Sequence, residues 1–358
     1  MEESVESIAV LDHDEDDPSS TILDLTSYQL HDLDSVELPP TLTELDLTAN
    51  RLSTLDPRIA NLSHLKKLSL RQNLVTDATV LPLSSWNALA SLDVYRLSLC
   101  LEGLTTFFQT HLFYSFLFYM QELVLRDNQL RNIPDVSIFQ KLLVFDVSFN
   151  QISSLHGCAK VSDTLKELYV SKNEVAKIEE IDHFHQLQIL ELGSNKLRVM
   201  ENLQSLANLQ ELWLGRNRIK VVNLCGLNCI KKISLQSNRL TSMTGFEGCI
   251  ALEELYLSHN GIAKMEGLST LVNLRILDVS SNKLTSVDDI VNLTQLEDLW
   301  LNDNQIASLE GVTEAVCSRE KLTTIYLENN PCAKSPNYTA FLREIFPNIQ
   351  QIDSHVFS

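Results

Sequence analysis

Carboxylates and aromatic rings recur in this sequence at a near-constant interval, and both are side chains that can grip another molecule. One column reads Asp46, Ser69, Val124, Asp146, Tyr169, Glu191, Trp213, Ser234, Tyr256, Asp278, Trp300 and Tyr326. A second column, two residues earlier, supplies Glu44, Glu122, Glu167, Glu211, Glu254 and Asp298, with Lys67 and Lys232 as its basic members. Acids flanking exposed aromatics suit a protein partner with a basic complement. The same carboxylates could act as general acids or bases only with displaced pKa values, which an open hydrated row sustains poorly. No nucleophile elbow, P-loop, H-E-x-x-H or glycine-rich phosphate loop is present. His183 and His185 flank Phe184 outside any strand pattern and read as surface residues. Cys225 and Cys229 lack zinc-finger spacing and have no paired His or Cys set beside them. The expectation is a binding protein rather than an enzyme, with no metal and no cofactor.

Composition narrows the partner class. A chain of 358 residues, 44% of them hydrophobic, can fill one long core or two ordinary ones. Ten glycines and nine prolines are too few for a loop-rich or disordered chain. The net charge of −19 argues against nucleic acid, whose phosphates need clustered Lys and Arg, and against anionic membranes. A basic protein surface is the natural complement. Seven scattered cysteines fit a reducing compartment better than a disulfide framework. The first residues carry acids where a secretory leader carries Lys or Arg, and they lack an apolar stretch. An intracellular chain is therefore expected, in which the glycosylation patterns at Asn61, Asn292 and Asn337 stay idle.

The elements that must position these columns follow from internal repetition. The string L-x-x-L-x-L-x-x-N occurs as Leu42, Leu45, Leu47, Asn50 and again as Leu65, Leu68, Leu70, Asn73. After an interruption it resumes at Met120, Leu123, Leu125, Asn128, and its asparagines continue to Asn330 at spacings of 21 to 23, the last being 26. A degenerate copy at Leu23, Leu25 and Tyr28 opens the array. Alternation along L-x-L turns the leucines into a core and the two columns outward on the other face of a short strand. Each asparagine stands where the chain leaves the strand, and its amide can donate to and accept from unpaired backbone groups. Apolar residues then return every third position, as at Leu197, Met200, Leu203, Leu206 and Leu209, a spacing suited to 3₁₀ turns. The predicted fold is an α/β leucine-rich-repeat solenoid: a right-handed curved array of about 22-residue repeats with a concave parallel sheet and short 3₁₀ or helical turns on the convex side.

Three segments lie outside this pattern. Residues 1–20 are acidic and read as a solvated disordered tail. Residues 331–358 form a C-terminal cap, in which Tyr338, Phe341, Leu342, Ile345 and Phe346 make a helical apolar stripe that Pro347 stops. Within the array, 21–330, an aromatic insertion near 93–120 carries Phe107, Phe108, Phe113, Tyr114, Phe116, Phe118 and Tyr119. A membrane span, a binding loop and extraneous intron-derived sequence are three readings of it. Removing Asp93 to Met120 joins Leu92 to Gln121 and restores an uninterrupted repeat.

The chain resembles the leucine-rich-repeat regulatory subunits of protein phosphatase 1 (the regulatory subunit 7 family). The resemblance runs from about Thr21 to Asp353 outside the insertion, and is carried by Leu190 to Arg198, Leu235 to Thr241, Leu255 to Ile262 and Ile325 to Pro331. It implies a non-enzymatic subunit in nucleus and cytoplasm that controls the activity, maturation or localisation of the catalytic subunit, itself a monomer in a heteromeric complex. By position, the phosphatase-binding role implied by the resemblance falls on Asp146, Tyr169, Glu191, Trp213, Asp278, Asp298, Trp300 and Tyr326; the alternation adds Tyr256. Tyr169 and Trp213 stand where the family more commonly has phenylalanine. The alternative is a leucine-rich-repeat scaffold for another intracellular protein, such as a ribonucleoprotein component, although such adaptors carry far fewer repeats.

Overall fold

A computed structural model describes residues 21–80, 119–224 and 227–357. The expected tail 1–20, most of the aromatic insertion, Cys100 and Cys225 lie outside those residues.

Every L-x-L core becomes a three-residue strand. In chain order these are β1 (Ile22–Asp24), β2 (Glu44–Asp46), β3 (Lys67–Ser69), β4 (Glu122–Val124), β5 (Val144–Asp146), β6 (Glu167–Tyr169) and β7 (Ile189–Glu191), followed by β8 (Glu211–Trp213), β9 (Lys232–Ser234), β10 (Glu254–Tyr256), β11 (Ile276–Asp278), β12 (Asp298–Trp300) and β13 (Thr324–Tyr326). Each pairs with the next in parallel, leucine opposite leucine, as Leu190 with Leu212 and Leu277 with Leu299. The middle residue of every strand from β2 to β13 is at most 1% exposed, so one ridge of Leu, Ile and Phe runs the length of the sheet. Fully burying one such side chain is worth about 1.5–3 kcal/mol, and no single turn can do so without its neighbours.

The asparagine ladder explains why the chain leaves each strand at the same point. Asn195 donates through Nδ2 to the carbonyls of Val170 (2.9 Å) in the previous turn and Leu192 (3.1 Å) in its own. Its Oδ1 accepts from the Val175 N–H at 2.9 Å. The residue before each ladder asparagine, from Ala49 to Asn329, is left-handed, with φ between +49° and +62°. Such a conformation is unfavourable for a residue with a Cβ, and the amide bonds that follow hold it in place. On the other side of each turn, isolated i→i−3 bonds such as Leu206 N–H to Leu203 O (3.0 Å) replace helices. Continuous 3₁₀ segments occur at Pro57–Asn61, Cys158–Lys160 and Cys332–Lys334, and a four-residue helix α1 at Asp77–Val80. The 26-residue repeat from Asn304 to Asn330 spends its extra residues on α2 (Leu309–Ala315), whose N-cap Ser308 Oγ accepts from Gly311 N at 2.9 Å.

Across the 55-residue spacing between Asn73 and Asn128 the sheet stays continuous. Lys67 of β3 pairs directly with Glu122 of β4, and Asn128 reaches back to Leu70 O (2.8 Å) and accepts from Val75 N (3.0 Å) as its neighbours do. No strand can therefore stand between them. Met120 is fully buried as the first apolar position of the resumed repeat.

The C-terminal end closes the core. Helix α3 (Tyr338–Ile345) buries Tyr338 and Leu342, and Phe346 follows it into the core. Strand β14 (Gln351–Ile352) extends the sheet in parallel, and β15 (His355–Val356) turns back on it antiparallel. Past the last parallel strand pair, Ile325 with Ile352, Asp353 closes the end: its Oδ1 accepts from Leu327 N (2.7 Å) and Glu328 N (2.9 Å), and its Oδ2 from the Tyr338 hydroxyl (2.9 Å).

Candidate protein-binding face

The third residue of every strand points away from the leucine ridge, so parallel register brings the predicted column into one line. Tyr169, Glu191 and Trp213 are successive neighbours through β6, β7 and β8, and Tyr256, Asp278, Trp300 and Tyr326 through β10 to β13. All five aromatics of the column are half-buried, as are Glu191 and Asp298. Adjacent strands lie about 4.8 Å apart, so rings one or two strands apart can meet. Tyr256 and Trp300 meet edge-on with centroids 6.3 Å apart, and Trp300 and Tyr326 at 6.0 Å.

A glutamate two residues earlier on the same strand pins the polar tip of three of these rings. The Tyr169 hydroxyl donates to Glu167 Oε2 (2.8 Å), Trp213 Nε1 to Glu211 Oε2 (3.0 Å) and the Tyr256 hydroxyl to Glu254 Oε2 (2.8 Å). Burial, then the adjacent glutamate, raises the pKa of both tyrosines far above the ordinary 10.0, so they stay protonated donors. The spacing E-x-[YW] was visible in the sequence, since residues i and i+2 share a face; its meaning as a hydrogen-bonded pair was not drawn from it. In β12 the earlier residue is Asp298, one methylene shorter, and the Trp300 N–H is buried with no partner. Asp298 instead accepts from Thr323 Oγ1 at 3.3 Å. Gln351 Nε2 donates to the Tyr326 hydroxyl, tying the last ring to the cap.

The acids divide into two kinds. Asp278, only 3% exposed, lies on the strand between Tyr256 and Trp300 and accepts from Ser280 N (3.0 Å) and Ser280 Oγ (2.6 Å). Asp146, 9% exposed, accepts from Ser148 N (2.8 Å), with the Arg126 guanidinium 3.8 Å away. These two are anchored beneath the surface rather than standing open in water, a difference that alternation alone cannot register. Glu167, Glu191, Glu211 and Asp298 remain half-exposed. Both lysines of the face are already engaged: Lys67 with Glu122 at 3.1 Å, and Lys232 with Glu254 at 2.7 Å. Lys232 also lies over the rings of Trp213 (5.1 Å) and Tyr256 (5.9 Å). What is left is an acidic surface with half-buried rings, suited to desolvated contact with a basic protein.

Outside this face, His183 Nε2 lies 3.0 Å from Val161 O, and His185 Nδ1 3.3 Å from Ser205 O. Among the described residues no three His, Cys, Asp or Glu side chains group to hold a metal ion, and no helix is long and apolar enough to cross a membrane.

Comparison with known proteins bears on both fold and role. Residues 250–292 and 272–314 match the family model described as leucine-rich repeats in two copies. A protein of Arabidopsis thaliana named protein phosphatase 1 regulatory inhibitor subunit PPP1R7 homolog is 69% identical over 341 residues, 95% of each chain. Among solved structures, an internalin of Listeria monocytogenes superposes with TM-score 0.63 at 18% identity, over 88% of this chain and 87% of its own. A leucine-rich-repeat protein of Leptospira interrogans does so with TM-score 0.60 at 21% identity, over 92% and 94%. The two structures establish the solenoid fold; the Arabidopsis relative, by its identity and span, carries the family.

Proposed function

The chain belongs to the leucine-rich-repeat regulatory subunits of protein phosphatase 1, and from that premise we propose that its concave strand face grips the phosphatase catalytic subunit. It is a regulator and not an enzyme. Contact runs through Tyr169, Glu191, Trp213, Tyr256, Asp298, Trp300 and Tyr326, with Asp146 and Asp278 adding their charge from beneath the surface. The observation that carries this reading is the pairing of rings with carboxylates on one face: Trp213 held by Glu211 at 3.0 Å, and Tyr169 and Tyr256 held by Glu167 and Glu254 at 2.8 Å. Rings immobilised before contact lose little side-chain entropy on binding, which favours affinity. Unpaired carboxylates around them steer a basic surface and disfavour acidic ones.

The subunit acts as a monomer within a heteromeric complex, binds no nucleic acid and no membrane, and works in nucleus and cytoplasm. The net charge of −19 supports the first exclusion. Size-exclusion chromatography with light scattering tests the assembly: mixed with purified catalytic subunit, the full chain is expected to elute as a one-to-one complex. Separate elution of the two chains at micromolar concentration contradicts the proposal.

A further inference from the structure

The chain is strongly acidic, yet one edge of the solenoid collects cations. Where the turns after β7 and β8 leave the sheet, the sequence reads Ser-Asn195-Lys-Leu-Arg-Val and Arg-Asn217-Arg-Ile-Lys-Val. Backbone bonds fix these segments in register: Arg218 N–H donates to Leu197 O and Arg239 N–H to Ile219 O, both at 2.8 Å. Lys196, Arg218 and Arg239 therefore stack in one row, one turn apart. Arg198 and Lys220 form a parallel row two residues further on, and Arg216 flanks them at the left-handed position before Asn217. Only Lys196 is neutralised, by Glu174 at 3.1 Å. The other five cations make no ion pair among the described residues. Beside them stand two exposed branched apolar side chains in equivalent positions of the two turns, Val199 at 57% and Val221 at 70% exposure.

Like charges gathered without counter-ions repel one another, and two bare valines gain nothing from water. Both features suit a ligand that brings carboxylates and apolar groups together. Nothing aromatic lies in either turn segment, so the edge offers no ring on which a nucleic-acid base could stack. Its sign is opposite to that of the neighbouring concave face, so the two surfaces select different partners.

We propose that this edge is a second docking surface, which takes an acidic protein segment carrying branched apolar side chains. Guanidinium groups of Arg198, Arg216, Arg218 and Arg239 pair with its carboxylates, bidentate where the geometry allows. Val199 and Val221 receive its apolar residues. A subunit with two faces of opposite charge can hold a basic protein in its concavity and an acidic chain along its rim at the same time.

Fluorescence anisotropy with the full chain tests this, using a labelled twelve-residue peptide of Glu and Asp with two leucines, at low and moderate salt. Binding is expected at low salt and is expected to weaken as salt rises. The variant Arg216→Gln/Arg218→Gln/Lys220→Gln, checked for a native circular dichroism spectrum and melt, is expected to lose at least tenfold in affinity. Val199→Ser/Val221→Ser is expected to lose severalfold, and Trp213→Ala/Trp300→Ala, altered on the concave face, to bind within twofold of wild type. The inference is overturned by the glutamine variant binding within twofold of wild type, by no binding to wild type at low salt, or by loss in the concave variant. Tighter binding of a twelve-nucleotide RNA than of the peptide overturns the assignment to a protein segment.

Discussion

The orphaned indole of Trp300 gives a substitution that should stabilise the protein. In β6, β8 and β10 a glutamate two residues before the ring accepts its N–H or O–H at 2.8 to 3.0 Å. In β12 the carboxylate of Asp298 is one methylene short, and Trp300 Nε1 is buried without a partner. An unmade bond at a buried donor costs about 1–3 kcal/mol. Asp298→Glu extends the carboxylate to the position that Glu211 holds beside Trp213. Against the gain stand a 3.3 Å bond from Thr323 Oγ1, worth about 0.5 kcal/mol at this half-exposed site, and roughly 0.5–1 kcal/mol of added side-chain entropy. The net expectation is about 1 kcal/mol of stabilisation, a rise in melting temperature of roughly 1 °C for a chain of this length. Urea denaturation followed by circular dichroism measures it. The reciprocal change Glu211→Asp, which recreates the short arm beneath Trp213, should destabilise by a similar amount. A neutral or destabilising Asp298→Glu, together with a neutral Glu211→Asp, would refute the pinning account.

Three further outcomes follow from the same geometry. Asn195→Ala removes two donated bonds and one accepted bond from buried backbone groups; it should cost about 3–5 kcal/mol by urea denaturation, and a loss under 1 kcal/mol would mean the ladder is not structural. Burial pushes the Cys158 thiol up to about 12 and Cys249 up to about 11, whereas Cys229 and Cys317 are exposed; iodoacetamide on the native protein, mapped by peptide mass spectrometry, should label the exposed pair first. Hydrogen bonds from Arg275, Lys160 and Arg58 hold Glu297, Asp135 and Asp56 below their ordinary values of 4.5, 3.8 and 3.8. The folded chain therefore binds those protons more weakly than the unfolded chain, so this stabilisation is full above the ordinary values and fades as pH falls below them. Melting temperature should drop along that range, and Arg275→Gln should make the drop shallower.

Much of the architecture was legible because a period of about 22 residues and a strict L-x-L alternation leave a strand one way to face. The column from Asp46 to Tyr326 could be assembled from the sequence for that reason, and register then places its members side by side. Alternation says which face a side chain takes, but not how deep it sits. Asp278 and Asp146 were thus indistinguishable in sequence from the open Glu191, and only the neighbouring strands show them buried. The left-handed residue before each asparagine carried no signal either, since Ala49, Phe149 and His259 share nothing but their position. At the C-terminal end, β15 turns back antiparallel on β14 where the array stops, a boundary condition that no repeat encodes. Whether β3 and β4 are neighbours was open in the spacing and is decided by the pairing of Lys67 with Glu122.

The central claim concerns which surface holds the phosphatase. Trp213 and Trp300 stand on β8 and β12, four strands or roughly 19 Å apart, so their contributions should add. Truncating an interface tryptophan typically costs about 2 kcal/mol or more, some thirtyfold each and about a thousandfold together. The measurement is capture of the purified catalytic subunit of protein phosphatase 1 by the wild-type chain and by Trp213→Ala/Trp300→Ala. The account predicts capture by wild type and its loss in a double variant that still unfolds cooperatively. Undiminished capture by that folded variant would contradict it.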